Sequence, residues 1–129
     1  MANNLNILIA DDEESLRFSL GSILEVHGYN VTLVEDGLKA VEAVKNGNFD
    51  VAFLDIRMPE MNGVETCKEI KKFNKKIIVF VMTAYAFMNL MKEVEREAFL
   101  VVDKPFDINK ILKILEKISN GEDPEESKI

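Results

Sequence analysis

The chain has 129 residues, of which 47% are hydrophobic and 30% charged, and this is the composition of an ordinary single globular domain. No apolar run approaches the roughly 20 residues that a membrane span needs. The first residues show no secretory signal, so we expect a cytoplasmic location and no membrane contact. The formal net charge of −7 argues against direct nucleic-acid binding, which needs clustered Lys and Arg. One cysteine, Cys67, cannot form an internal disulfide, which agrees with a reducing compartment.

The predicted secondary structure alternates between strands and helices. Short apolar runs rich in β-branched residues predict five strands, at 6–10, 29–34, 51–54, 77–82 and 99–102. Apolar residues at helical spacing predict five helices, which begin near residues 15, 38, 63, 87 and 108. The first helix is expected to end at His27, with Gly28 just beyond it. We interpret His27 as a helix-end residue and not as a metal ligand, because no Cys or His lies at ligand spacing.

Local signals define the later elements. Asn62 and Glu65, three residues apart, predict a capping pair for the third helix, and Asp107 is expected to cap the fifth. The strand at 77–82 is apolar on both alternating sets of residues, which predicts a central strand covered on both faces. The fourth helix, at 87–98, is rich in Met and less amphipathic. The apolar stripe of the fifth helix is predicted to be Ile108, Ile111, Leu112, Leu115 and Ile118.

Five strands alternating with five helices and short loops predict a doubly wound α/β domain. Its sheet should be parallel, with helices on both faces and, in the flavodoxin-like arrangement, the strand order 2-1-3-4-5. We expect residues 1–120 to form this one domain. Residues 121–129 contain four acids and one lysine, so we expect an acidic flexible tail or the start of a linker.

Polar residues follow the apolar runs at the ends of four strands. These residues are Asp11, Asp12, Asp55, Thr83 and Lys104. Ligands of such sheets bind beyond the carboxyl ends of the strands, where the strand order reverses, so the three aspartates should lie together there. Three carboxylates in one cleft need a cation, and an oxygen-only donor set suits Mg²⁺, with Mn²⁺ as the alternative ion. With Lys104 and Thr83 on the same rim, the pattern indicates a phosphoryl site in which one aspartate can carry the group. No glycine-rich nucleotide loop and no Ser-His-Asp arrangement is present in the sequence.

These motifs resemble those of the response-regulator receiver domains of two-component signalling, from Asn6 to about Ser119. The matching stretches are Ile7-Leu8-Ile9-Ala10-Asp11-Asp12-Glu13, Leu54-Asp55-Ile56-Arg57-Met58-Pro59-Glu60-Met61-Asn62-Gly63, Met82-Thr83-Ala84 and Lys104-Pro105-Phe106.

The resemblance implies that Asp55 accepts a phosphoryl group from a phosphohistidine of a histidine kinase or a histidine phosphotransfer protein. It also implies that Asp12, Asp55 and the backbone carbonyl of Arg57 ligate Mg²⁺, while Asp11 acts mainly through water. Thr83 would bond a phosphoryl oxygen, and Lys104 would pair with the phosphoryl charge. Phosphorylation would then switch an output surface formed by the fourth helix, the fifth strand and the fifth helix.

Near this output surface, the chain departs from the family pattern. Where the family commonly has a Tyr or Phe that swings inward with the threonine, the chain has Val101, so the output is expected to rest on Thr83, the loop from Ala84 to Ala86 and the fourth helix. Glu97 replaces a family glycine ahead of the fifth strand. Arg57 and Tyr85 lie at positions that resemble those at which the family tunes the rate of dephosphorylation. We expect their side chains to shield the phosphoryl group from water.

The leading hypothesis is therefore a stand-alone signalling or phosphorelay receiver that acts on an output protein and is not an enzyme for a diffusible substrate. The alternative is the N-terminal receiver of a larger regulator, such as a transcription factor, with a fused output domain. A phosphorylation-dependent homodimer is a further option. A metal-dependent phosphatase is disfavoured, because it would need an acid two residues after Asp55, where the chain has Arg57. A flavin-binding protein is disfavoured too, because no Ser/Thr-rich loop follows the first strand.

Overall fold

The structure is a computed structural model that describes residues 5–83 and 100–122. The helix predicted at 87–98, together with Ala84, Tyr85 and Glu97, lies outside the described residues, as does most of the predicted acidic tail. Within the described helices, none is long and apolar enough to cross a membrane.

In the described part of the chain, five parallel strands form one sheet in the order β2-β1-β3-β4-β5. The strands are β1 (Asn6–Ala10), β2 (Asn30–Val34), β3 (Val51–Asp55), β4 (Ile78–Thr83) and β5 (Leu100–Asp103). Every residue of β3 is buried, and so is every residue of β4 after the half-buried Ile78. Such continuous burial follows from helices covering both faces of a parallel sheet. The predicted fold class and strand order are confirmed.

Four helices are described on this sheet. They are α1 (Glu14–Val26), α2 (Gly37–Asn46), α3 (Gly63–Phe73) and α4 (Ile108–Ser119). Asp36 caps α2 through the N–H of Lys39, and Asp107 caps α4 through two backbone N–H groups. His27 is the C-cap of α1, and Gly28 follows with φ of +94°, so the predicted end of the first helix is confirmed.

Alternate residues of the strands belong to two hydrophobic cores, one on each face of the sheet. Ala52 and Leu54 of β3 contribute to the core covered by α2 and α3. Val51 and Phe53 contribute to the core covered by α1 and α4, where the rings of Phe53 and Phe80 stack with centroids 4.9 Å apart. Each large side chain buried in this way contributes about 1.5–3 kcal/mol. The two cores hold the carboxyl ends of the strands in fixed register at one edge.

The buried faces of the helices are apolar, as predicted, but individual residues differ from the prediction. Ile114, which is not among the residues of the predicted stripe, is buried in α4, while the apolar Ile23 of α1 is 37% exposed. Periodicity identifies the apolar set of a helix, whereas the rotation of the helix on the sheet depends on the partner surface. Boundaries differ by a residue in β2, which begins at Asn30 and not at Tyr29, and in β4, which begins at Ile78.

The cap of α3 is a complete capping box, as predicted. The Asn62 side chain accepts a hydrogen bond from the Glu65 N–H at 2.9 Å, and the Glu65 carboxylate accepts one from the Asn62 N–H at 3.0 Å. Since both bonds satisfy otherwise unpaired N–H groups, we expect Asn62→Ala to lower the free energy of unfolding by about 1 kcal/mol. Urea denaturation followed by circular dichroism would measure this. Asn48→Ala, at an exposed loop position, is the control, and an equal loss in both variants would contradict the prediction.

Candidate functional site

The carboxyl ends of β1, β3, β4 and β5 bring the predicted polar residues together. Carboxylate oxygens of Asp11, Asp12 and Asp55 all lie within 4.8 Å of one another. Asp11 and Asp55 are buried, with 1% and 6% of their surface exposed, while Asp12 is exposed. Buried carboxylates need partners, and the same edge of the sheet provides them.

Lys104 is the cation that faces the two buried carboxylates. Its Nζ lies 3.1 Å from Asp11 Oδ2 and 3.2 Å from Asp55 Oδ1. The Lys104 backbone N–H donates to the carbonyl of Thr83 at 2.9 Å, which ties the loop after β5 to the end of β4. Burial alone would lower the pKa of the ammonium group, but the charges of Asp55 and Asp11, together with the hydrogen bonds to their carboxylates, more than offset this and raise it. Lys104 therefore stays protonated, with its charge directed into the cleft.

Asp55 has an unusually basic carboxylate for an aspartate. Burial, and then repulsion from the charge of Asp11, raise its pKa from 3.8 to about 6. The charge and hydrogen bond of Lys104 and the backbone N–H of Arg57 act in the opposite direction and only partly compensate. A second cation at this position would remove the remaining repulsion.

The other predicted site residues lie around this centre. Thr83 is buried at the end of β4, with 2% of its surface exposed. Arg57 is exposed in the loop after β3. Val101 of β5 is half-buried and packs against the core under α2 and α3. Ala84 and Tyr85, predicted as modulating residues, lie outside the described residues.

A model of the family described as "Response regulator receiver domain" matches residues 7–116. The chain belongs to this family. The match covers the sheet and all four described helices except the last three residues of α4. The strand order 2-1-3-4-5 of the parallel sheet agrees with this family.

Named relatives of two kinds share this domain. The chain is 34% identical to "Sporulation initiation phosphotransferase F" of Bacillus subtilis, over 88% of this chain and 93% of the relative. It is 42% identical to "Transcriptional regulatory protein ZraR" of Klebsiella oxytoca, over 83% of this chain. The chain spans about a quarter of the length of that regulator, 24%.

One similar solved structure contains a metal ion. It is the response regulator protein TrrA of Thermotoga maritima, described as a complex with Mg²⁺-BeF. The identity is 30% and the TM-score 0.79, with 88% of this chain and 98% of that chain covered.

The acidic cluster of this receiver fits Mg²⁺. Among the residues that the structure describes there, three carboxylates face the single ammonium group of Lys104, so a net charge of −2 remains when all are ionised. The donors are all oxygens, and the exposed carboxylate of Asp12 lies on the solvent side of the cluster, which leaves room for the water ligands that Mg²⁺ retains. The same donor set would accept Mn²⁺.

The structure adds one residue that the sequence analysis missed. The Nη1 of Arg17 in α1 donates a hydrogen bond to the backbone carbonyl of Asp11 at 2.7 Å. The sequence offers only a weak signal for it, a cation one turn into the helix that follows the acidic pair. The contact joins a side chain to a backbone carbonyl, so residue types alone do not reveal it.

Proposed function

We propose that this receiver accepts a phosphoryl group on Asp55 from a phosphohistidine of a sensor kinase or histidine phosphotransfer protein, in a Mg²⁺-dependent reaction. The observation that carries the proposal is the Asp55 carboxylate itself. It lies at the end of β3, in a cluster of three carboxylates, with the Lys104 ammonium group 3.2 Å away. A buried carboxylate that has one fixed cation and a place for a second is suited to attack a phosphoryl group.

In the proposed step, an oxygen of the Asp55 carboxylate attacks phosphorus, and an O–P bond forms as the N–P bond of phosphohistidine breaks. The electron pair of that bond stays with the imidazole, which takes up a proton. Asp55 must be ionised to attack, so a pKa of about 6 leaves it nucleophilic at neutral pH and above. Lys104 would pair with a phosphoryl oxygen, and Thr83 would donate its hydroxyl to another.

Mg²⁺, held by Asp12, Asp55 and the backbone carbonyl of Arg57, with Asp11 acting through water, would supply positive charge opposite the phosphoryl oxygens. This assignment rests on the family resemblance, and the carboxylate cluster supports it. Asp11 is already bonded to Lys104 and to the Glu13 N–H, which favours an indirect role.

The chain is proposed to act only on its own aspartate and not as an enzyme on a diffusible substrate. A phosphatase that forms a phosphoaspartate would need a general acid two residues after the nucleophile. Arg57 occupies that position, and a guanidinium group does not give up a proton near neutral pH.

Two outputs are proposed. The nearly full-length similarity to the sporulation phosphotransferase favours a stand-alone relay or signalling protein, located in the cytoplasm, that acts on a partner protein. The similarity to a quarter of ZraR favours the alternative, an N-terminal receiver with a fused output domain, for which residues 121–129 would begin the linker after a domain at 1–120. A homodimer formed on phosphorylation would suit either output. Val101 is half-buried and packs against the core under α2 and α3, so we propose switching without a swinging aromatic ring at this position.

The test is the intact mass of the protein after incubation with acetyl phosphate, with and without Mg²⁺. We expect a gain of one phosphoryl group that requires Mg²⁺ and is absent in Asp55→Asn. A gain that persists in Asp55→Asn would place the acceptor elsewhere. Absence of any gain in the folded wild type, including with a phosphohistidine donor, would contradict the proposal.

A further inference from the structure

Arg17 is half-buried in the first turns of α1, and its guanidinium group reaches back to the acidic loop. Its Nη1 donates to the Asp11 carbonyl at 2.7 Å, a short bond for a nitrogen donor. The predicted catalytic and metal-binding set does not include this residue.

The backbone N–H, the carboxylate and the backbone carbonyl of Asp11 each have a hydrogen-bond partner. Its N–H donates to the carbonyl of Val34 at 3.2 Å. Its carboxylate accepts from the Glu13 N–H at 2.9 Å and from Lys104 at 3.1 Å. The backbone carbonyl accepts the hydrogen bond from Arg17, which is therefore the fourth hydrogen-bonding partner that orients Asp11.

The orientation of the Asp11 carbonyl matters because it belongs to the peptide unit that carries the N–H of Asp12. A peptide unit is planar, so fixing its oxygen also fixes the direction in which the chain leaves toward the Asp12 Cα. Asp12 is exposed, and core packing does little to place it. The hydrogen bond from Arg17 thus acts on the position of the Asp12 carboxylate.

The guanidinium group also lies near the loop that joins β2 to α2. The pKa of Glu35 in that loop is lowered mainly by Lys39, with a smaller contribution from Arg17. Arg17 further lies over the ring of Phe18, with its Cζ 5.8 Å from the ring centroid. The planar guanidinium group thus lies between the acidic loop and the ring of Phe18.

We propose that Arg17 is a positioning residue for the Mg²⁺ site, in that it holds the Asp11–Asp12 peptide in the orientation that presents the Asp12 carboxylate to the metal. This inference rests on the proposed function. It makes a prediction opposite to that of simple electrostatics. A positive charge near a cation site repels the cation. If Arg17 acted only through its charge, its removal should tighten Mg²⁺ binding, whereas loss of its hydrogen bond to the Asp11 carbonyl should weaken Mg²⁺ binding.

The experiment titrates Mg²⁺ alone into the wild type, Arg17→Met and Arg17→Lys, by calorimetry and by backbone amide shifts, with urea denaturation of each metal-free protein alongside. We expect a Kd about tenfold weaker for Arg17→Met, the loss typical of groups that orient metal ligands, and a smaller loss for Arg17→Lys. Lys113→Met, which removes an exposed charge on α4, should leave the Kd unchanged. At saturating Mg²⁺, phosphorylation of Arg17→Met by acetyl phosphate should return close to the wild-type rate, because Arg17 does not touch the reacting atoms.

A lower stability with an unchanged or tighter Kd in Arg17→Met would overturn the proposal and leave Arg17 a structural residue. Asp12→Asn separates this result from a failure of the proposed function. If Asp12→Asn loses Mg²⁺ binding and Arg17→Met does not, only the role of Arg17 is wrong. If the wild type and Asp12→Asn bind Mg²⁺ equally well, or neither binds it, the metal site itself is wrong and both proposals fall.

Discussion

Asp55→Asn is expected to make the metal-free protein more stable at pH 7.5, although it removes the proposed phosphoacceptor. The ionised Asp55 is buried beside the charge of Asp11, and these two effects raise its pKa from 3.8 to about 6. The difference between the two values corresponds to about 3 kcal/mol of free energy of unfolding, which is the upper limit of the gain. Asn cannot ionise, so the cost of a buried charge disappears.

The pH dependence of this gain has a definite sign. The folded-state pKa of Asp55 is raised above the unfolded value, so protonation favours the folded protein. The wild type should therefore gain stability, relative to Asp55→Asn, as the pH falls through about 6, and the difference between them should be small near pH 4. Urea denaturation at several pH values, without divalent ions, measures this difference. Asp103→Asn, which removes an exposed aspartate at the end of β5, is the matched control.

In the presence of Mg²⁺, the wild type should become more stable than Asp55→Asn. A ligand present at 1,000 times its Kd stabilises the protein that binds it by about 4.1 kcal/mol, which exceeds the upper limit of the metal-free gain, about 3 kcal/mol. Asp55→Asn lacks one of the proposed charged metal ligands and should gain much less. If Asp55→Asn is no more stable than the wild type in metal-free buffer at pH 7.5, the burial of the Asp55 charge beside that of Asp11 is not the cost that the structure indicates.

Much of the fold and of the site could be predicted because the signals are local or topological. The capping box of Asn62 and Glu65 depends only on residues three apart, and the structure contains both of its hydrogen bonds. Alternation of strands and helices permits few arrangements, and the strand order 2-1-3-4-5 places the ends of β1 and β3 side by side. Asp11 and Asp55 were therefore expected to meet before any distance was known.

What could not be predicted depends on distances between elements. The residue types do not show which of Asp11 and Asp12 is buried, whereas in the structure Asp11 is buried against Lys104 and Asp12 is exposed. Their difference arises from the register of β1 within the sheet. The contact of Arg17 with a backbone carbonyl and the burial of Ile114 have the same origin, since each depends on how a helix is rotated on the sheet.

Gly63→Ala should be the most damaging small substitution near the site. Gly63 is the first residue of α3, and its N–H donates to the carbonyl of Ile56 at 3.0 Å. A Cβ at this position would lie 2.6 Å from the carbonyl oxygen of Asp55 and 2.9 Å from the Cα of Ile56. Both are backbone atoms of the segment that carries the proposed phosphoacceptor, so no flexible side chain can move aside.

Relief of this overlap requires α3 to withdraw or the end of β3 to shift. Forced overpacking of this kind costs about 1–3 kcal/mol, and the upper end applies here because the contacts are with backbone. A shift of Asp55 would also change its distances to Asp11 and Lys104, so molecules that remain folded should bind Mg²⁺ more weakly. Gly21→Ala is the control, since its added Cβ would meet the end of the Leu33 side chain, which can move, and Ala is the better helix former inside α1. Urea denaturation and a Mg²⁺ titration of both variants would test this, and equal stabilities with equal Mg²⁺ affinities would show that the close approach of α3 to β3 does not position the site.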